Sequence, residues 1–108
     1  LAWVSFTPRA GHEQAGRRPA LVVSPAAYNR KAGLALLCPV TSQVKGYPFE
    51  VVLPEGLPIT GVVLADQVRS LDWEVRRAER ITRVPDRVTA EVLAKLLPLL
   101  QPDGRAGS

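Results

Sequence analysis

At 108 residues, 46% of them hydrophobic and 22% charged, the chain has room for one core but no second independent domain, and its composition is globular rather than disordered. A formal net charge of +4 and a sequence pI near 9.8 favour an anionic partner, either nucleic acid or an acidic peptide. No apolar run approaches the roughly 20 residues of a membrane span, and no charged segment leads into an apolar one at the start, so neither insertion nor secretion is indicated and a cytoplasmic protein is expected.

Five short alternating or β-branched runs fill the first two thirds: AWVSF at 2–6, ALVVS at 20–24, LALLCPV at 34–40, FEVVL at 49–53 and GVVLA at 61–65. Strands at such short intervals predict a compact barrel or a strongly bent sheet. Between them lie Pro8 to Gly16, Pro25 to Gly33, Lys45 to Pro48 and Pro54 to Pro58, each carrying the Gly or Pro that interrupts pairing. The lone cysteine, Cys38, falls inside the third run; it has no intrachain disulfide partner and is expected as a buried thiol in a reducing compartment. After the fifth run, DQVRSLDW and then EVRRAERITRV predict a short turn of helix followed by a further strand. From Asp86 onward Val88, Val92, Leu93, Leu96, Leu97 and Leu100 recur at helical spacing and predict one amphipathic helix packed on the sheet. Pro98 is expected to end or kink it, with QPDGRAGS at 101–108 a polar, frayed tail.

Several chemistries fall away for lack of residues. One histidine, His12, and one cysteine cannot assemble a structural zinc site or an ordinary catalytic one; a carboxylate magnesium site stays open but unmotivated, and no metal or cofactor is expected. A two-histidine ribonuclease mechanism fails for the same reason. There is no G-x-x-x-x-G-K-[ST] phosphate loop and no G-x-S-x-G elbow. What remains is the first connection, PRAGHEQAGRRP, where Glu13, Arg17 and Arg18 crowd onto a loop between two strands. Residues alone leave this segment open between a solvated charged loop and an active site.

The order WVSF, GHEQAGRRPALVVSP, YN, CPVTSQVKGYPFEVVL, GVVLADQVRSLDW and a closing amphipathic helix resembles the MazF/PemK family of mRNA interferase toxins along nearly the whole chain. EQAGxRP followed by TSQxKGYPFEV is the most specific pairing. The resemblance implies a mostly β fold with a C-terminal α-helix, a small, strongly twisted, antiparallel barrel-like sheet of the MazF/PemK/CcdB type. It also implies metal-independent cleavage of single-stranded RNA, with the RNA's own 2′-hydroxyl attacking to leave a 2′,3′-cyclic phosphate and a 5′-hydroxyl.

Such a reaction needs a base, an acid, and donors for the charge that gathers on phosphorus. Arg18 matches the family's catalytic arginine, directly before Pro19, and its planar fork suits two phosphate oxygens. Because a guanidinium deprotonates only above about pH 12, charge stabilisation is its expected role. Thr41 matches the family's catalytic threonine and would donate to the scissile phosphate. Glu13 is the candidate base or the group that orients Arg18; a loop salt bridge is its alternative. His12 is expected as a bystander or an RNA contact. For RNA binding the candidates are Phe6, Arg17, Asn29, Lys31, Gln43, Lys45 and Gln67, since single strands are read through stacking and exposed base edges. Arg17 would attract phosphate. Phe6 and Gln67 have core or strand-end roles as alternatives, and Trp3 and Trp73 read as core or dimer-interface residues.

The resemblance further implies a homodimer whose grooves take loops from both subunits, and a cognate antitoxin whose acidic C-terminal segment folds across them. The alternative function on the same architecture is a gyrase-poisoning toxin without nuclease activity, which has no need of the Arg18 and Thr41 pair with its TSQxKG block.

Overall fold

The computed structural model describes residues 1–5 and 17–102. The alternating runs become β1 (Ala2–Ser5), β2 (Arg17–Val22), β3 (Leu34–Thr41), β4 (Glu50–Val52) and β5 (Val62–Leu64). A 3-10 turn at Ala65–Gln67 leads to β6 (Arg69–Asp72) and, after a turn, to β7 (Glu79–Arg80). Among the described residues there are two α-helices, α1 (Ala26–Ala32) between β2 and β3, and α2 (Asp86–Leu100) after β7.

The described strand pairs are antiparallel, and the sheet runs β4-β5-β3-β2-β1-β7 with β6 pairing β3 off that path. It is twisted and barrel-like but open, with β4 and β7 as the ends of that path. The longest strand, β3, organises it. Its first half pairs with β6, from Leu34↔Asp72 to Leu37↔Arg69, and its last two residues pair with β5 through Val40↔Val63 and Thr41↔Val62. On its other edge it pairs with β2 over Ala20↔Pro39, Leu21↔Cys38 and Val22↔Leu37.

Side-chain alternation gives this sheet two apolar faces. Leu21, Cys38, Val40, Val51 and Val63 point to one side, where Val84, Val88 and Val92 cover them. Ala2, Val4, Ala20, Leu37 and Leu71 form a second cluster, with Val22 packed against it. Cys38 is fully buried, as its apolar neighbours imply.

Four expectations need correction. β2 starts at Arg17 rather than Ala20, so Arg17 and Arg18 are strand residues, opposite Ser5 and Val4, and not loop residues. Residues 17–19 of this strand pair with β1 only, and an edge of this kind tolerates Pro19. The segment Pro25 to Gly33 is helical, not a turn: Pro25 presets the entry, and Gly33, at φ 72°, takes the left-handed position that ends α1. The stretch after the 3-10 turn supplies two strands, β6 and β7, where one was expected. Finally, α2 runs on through Pro98 to Leu100, and its buried stripe is narrower than its apolar pattern. Val88, Val92 and Leu96 are buried, while Leu97, Leu99 and Leu100 are exposed. Residues four apart share one face, whereas Leu97 is rotated about 100° from Leu96. Among the described residues no helix is long and apolar enough to cross a membrane, and the tail from 103 onward lies outside them.

Candidate active site

The register of β2 and β3 places two of the candidate residues, Arg18 and Thr41, relative to each other. Pairing of β2 with β3 stops at Ala20↔Pro39, while the next two residues of β3 pair with β5. Arg18 lies two residues before Ala20, and Thr41 lies two residues after Pro39. Continued without interruption, the same register would set them opposite each other; the pairing of β2 with β3 ends two residues before it reaches them. The two-residue period puts both on the face shared by Ala20 and Pro39. Arg18 is exposed and Thr41 half-buried, so the guanidinium is open to a ligand while the hydroxyl sits at the root of a strand.

Thr41 is held from two sides. Its Oγ1 accepts a hydrogen bond from the Gln43 backbone N–H at 3.1 Å, a local side-chain to main-chain bond that fixes the hydroxyl and leaves its proton free to donate outward. Behind it Gly61, at φ 125°, brings its backbone against the Thr41 carbonyl. The loop that follows is anchored by Glu50, whose carboxylate accepts from Lys45 N–H at 3.1 Å and from Gly46 N–H at 2.9 Å. Lys95 of α2 donates to the carbonyls of Pro48 at 2.6 Å and Glu50 at 3.3 Å.

The remaining candidates divide. Gln43, Lys45 and Gln67 are exposed, the first two on the loop beside Thr41 and the third at the end of the 3-10 turn. Lys45 Nζ lies 5.9 Å from the centroid of the exposed Tyr47 ring, near enough for a weak cation–π contact. Lys31 is exposed in the last turn of α1. Asn29 differs: its Oδ1 accepts from Ser24 Oγ at 2.5 Å, its Nδ2 donates to Ser24 O at 3.3 Å, and its backbone oxygen accepts from Trp73 Nε1 at 3.0 Å. These bonds tie α1 to the end of β2 and to the turn after β6, giving Asn29 and Trp73 structural work.

Arg17 is likewise engaged, donating from Nη2 to Glu79 Oε1 at 3.0 Å and from Nη1 to the Arg77 carbonyl at 3.1 Å. Arg77 itself has φ 52°, an unusual conformation for a residue with a side chain. Arg17 therefore fastens β7 and its turn to β2. Trp3 is half-buried on β1 opposite Pro19 and Glu79. Phe6, His12 and Glu13 lie outside the described residues. Among those described, no three His, Cys, Asp or Glu side chains form a group able to hold a metal ion.

Sequence reasoning passed over Glu50, Lys95 and Gly61. An acidic residue inside the apolar run FEVVL was the available signal for the first; nothing local marks the other two.

The family described as PemK-like, MazF-like toxin of type II toxin–antitoxin system matches residues 1–100. The endoribonuclease toxin MazF of Escherichia coli K12 is 49% identical over 100 residues, which cover 93% of this chain and 89% of that protein. The crystal structure of MazF from Deinococcus radiodurans superposes with a TM-score of 0.83 at 64% identity, covering 93% of this chain and 91% of that one. A MazE–MazF crystal structure from the same organism gives a TM-score of 0.83 at 56% identity, covering 95% and 92%.

Proposed function

The chain belongs to the PemK-like, MazF-like toxin family of type II toxin–antitoxin systems, and from that membership we propose that it is an endoribonuclease toxin cutting single-stranded mRNA without a metal. The observation that carries this reading is the β2–β3 register, which puts the exposed Arg18 and the oriented Thr41 hydroxyl on one face just beyond the last strand pair.

In this reading the scissile phosphate sits between Arg18 and Thr41. The 2′-oxygen of the upstream ribose attacks phosphorus as its proton leaves, the P–O5′ bond breaks, and the departing 5′-oxygen takes up a proton. The products are a 2′,3′-cyclic phosphate and a 5′-hydroxyl. The negative charge on the equatorial oxygens grows as the fifth bond forms, and the planar Arg18 guanidinium with the Thr41 hydroxyl stabilises that state more than the starting phosphodiester. The Gln43 N–H occupies one lone pair of Oγ1 and leaves the hydroxyl's proton to be donated to the phosphate. Glu13 is proposed as the base or as the group that orients Arg18. Gln43, Lys45, Gln67, Lys31 and Phe6 are proposed RNA contacts, whereas Arg17 and Asn29 are better explained as structural.

The proposed partners, met in the cytoplasm, are a second copy of the chain and a cognate antitoxin with an acidic C-terminal segment. A MazE–MazF complex has been solved for a similar protein, and a chain of charge +4 suits an acidic peptide over the same ground it offers RNA. The test is incubation of the purified protein with a long RNA in EDTA, mapping cut sites and end groups beside Arg18→Ala and Thr41→Ala. Cyclic-phosphate ends that disappear in both variants are expected; uncut RNA with the wild type, or undiminished cutting by Arg18→Ala, overturns the proposal.

A further inference from the structure

Among the described residues Glu50 is the one charged side chain taken into the core, at 9% exposure, in the middle of the otherwise apolar FEVVL run. Burying a carboxylate is costly unless its oxygens are satisfied, and an apolar residue at this strand position would carry no such cost. Both oxygens are satisfied by one short stretch of main chain: Lys45 N–H reaches them at 3.1 and 3.3 Å, and Gly46 N–H reaches Oε1 at 2.9 Å. The Glu50 N–H closes the same turn on Tyr47 O at 3.1 Å, and Gly46 takes φ 79° to make the bend.

A second clasp comes from the helix. Lys95 Nζ binds the carbonyls of Pro48 and Glu50, so α2 grips the backbone on which the carboxylate is mounted. At its other end the loop is fixed by Gln43 N–H on Thr41 Oγ1. Two anchors thus hold a segment whose side chains at Ser42, Gln43, Val44, Lys45 and Tyr47 all face solvent. Such a segment has a fixed backbone and free side chains. A stacking ring at Tyr47 and donors at Gln43 and Lys45 are then presented at a set distance from the hydroxyl of Thr41, which is what base selection next to a cut site requires.

We propose that Glu50 is a positioning residue, braced by Lys95, which holds the 42–48 loop as the base-reading edge of the RNA groove without touching RNA itself, a role that rests on the ribonuclease function proposed above. Loss of the clamp should loosen binding and cut-site choice while the Arg18 and Thr41 chemistry continues on whatever RNA is seated.

The experiment compares Glu50→Gln, Lys95→Met and Lys95→Arg with the wild type, measuring kcat and KM on a short RNA carrying one preferred site and the cut-site distribution on a long RNA. Hydrogen exchange at the Lys45 and Gly46 amides is followed in the same proteins without RNA. In Glu50→Gln an amide N–H2 would face the Lys45 N–H where an acceptor stood, so faster exchange at both amides, a KM raised about tenfold, extra cut sites and little change in kcat are expected. Lys95→Met should move the same quantities less, and Lys95→Arg should restore them. Unchanged KM and cut sites in folded Glu50→Gln and Lys95→Met overturn the inference, as does a fall in kcat at constant KM. Should Glu50→Gln not fold, the Lys95 pair decides alone. A wild type that leaves RNA uncut overturns the ribonuclease proposal and this one with it, whereas wild-type cutting with insensitive variants removes only this one.

Discussion

A side chain at Gly61 would begin inside the van der Waals envelope of the Thr41 carbonyl oxygen, 2.9 Å from its carbon and 3.1 Å from Ser42 Cα. The obstacle is backbone on both counts and cannot rotate away. Gly61 also has φ 125°, outside the range that side-chain-bearing residues normally take. Gly61→Ala should therefore push β5 away from the end of β3, costing about 2–4 kcal/mol of stability and displacing Thr41. Gly56 is the control, since it has φ 94° but open space around the missing side chain. Gly56→Ala should cost only about 1–2 kcal/mol from backbone strain and leave RNA cutting intact. Urea unfolding together with a cleavage assay separates the two; equal costs would show that the contact with Thr41 is unimportant.

The adjacent arginines should part company under substitution. Arg17 is tied to Glu79 and to the Arg77 carbonyl, yet Glu79 is largely exposed, so the ion pair itself contributes under about 1 kcal/mol. Arg17→Ala should lower the unfolding free energy by about 1–2 kcal/mol, with kcat close to wild type. Arg18 makes no such bridge among the described residues, and Arg18→Ala should leave stability unchanged while lowering kcat about 100-fold or more. Thermal melts and single-turnover kinetics on the two variants check this. A larger loss of cutting from Arg17→Ala than from Arg18→Ala would reverse the assignment.

For Asn29 the expected readout is stability rather than recognition. Its side chain both donates to and accepts from Ser24, whose hydroxyl also accepts the Leu36 N–H at 2.9 Å. Removing the amide leaves part-buried groups of Ser24 without their partner, a cost of about 1–3 kcal/mol. Asn29→Ala should melt earlier and cut the same RNA sites as the wild type; a changed cut-site pattern at unchanged stability would return Asn29 to the RNA groove.

What could be read from the chain, and what could not, follows from how local each signal is. The Val88, Val92, Leu96 spacing and the apolar neighbours of Cys38 are properties of a few adjacent residues, and both turned out as expected. The helix α1 has no buried residue, so AAYNRKA offers no apolar stripe to recognise; only its flanking Pro25 and Gly33 mark it, and those same residues also mark turns. Arg17 and Arg18 read as loop because paired charges before a proline are poor strand formers by themselves, and it is β1 that draws them into the sheet. The Glu50 clamp joins a strand to the main chain of a loop and to a helix 45 residues on. No spacing rule registers a bond to a backbone N–H. The placing of Arg18 and Thr41 on one face depends on how β2 pairs with β3, a matter of register that one strand's pattern does not contain.

Cys38 supplies a pH dependence whose sign is fixed by its burial. Desolvation, followed by the field of Asp66, raises its thiol from an ordinary value of 9.0 to about 11. The Sγ–H points at the Ala65 carbonyl 3.9 Å away, a geometry that suits the protonated form. In the unfolded chain the thiol ionises near its ordinary value, so between these two values the unfolded state binds fewer protons than the folded one. Stability from this group is thus fully present below pH 9.0, declines as pH rises towards about 11, and changes no further above that. Its whole extent is at most about 3 kcal/mol. Urea midpoints measured across this range should fall more steeply for the wild type than for Cys38→Ala, which has no proton to lose at this position but starts from a lower stability because a cavity replaces the sulfur. A thiol reagent at pH 8 should react with the folded protein far more slowly than with the unfolded chain, because the thiol is both inaccessible and protonated. Parallel pH profiles for the two proteins, or rapid labelling of the folded one, would show that the sulfur is not held as a buried thiol.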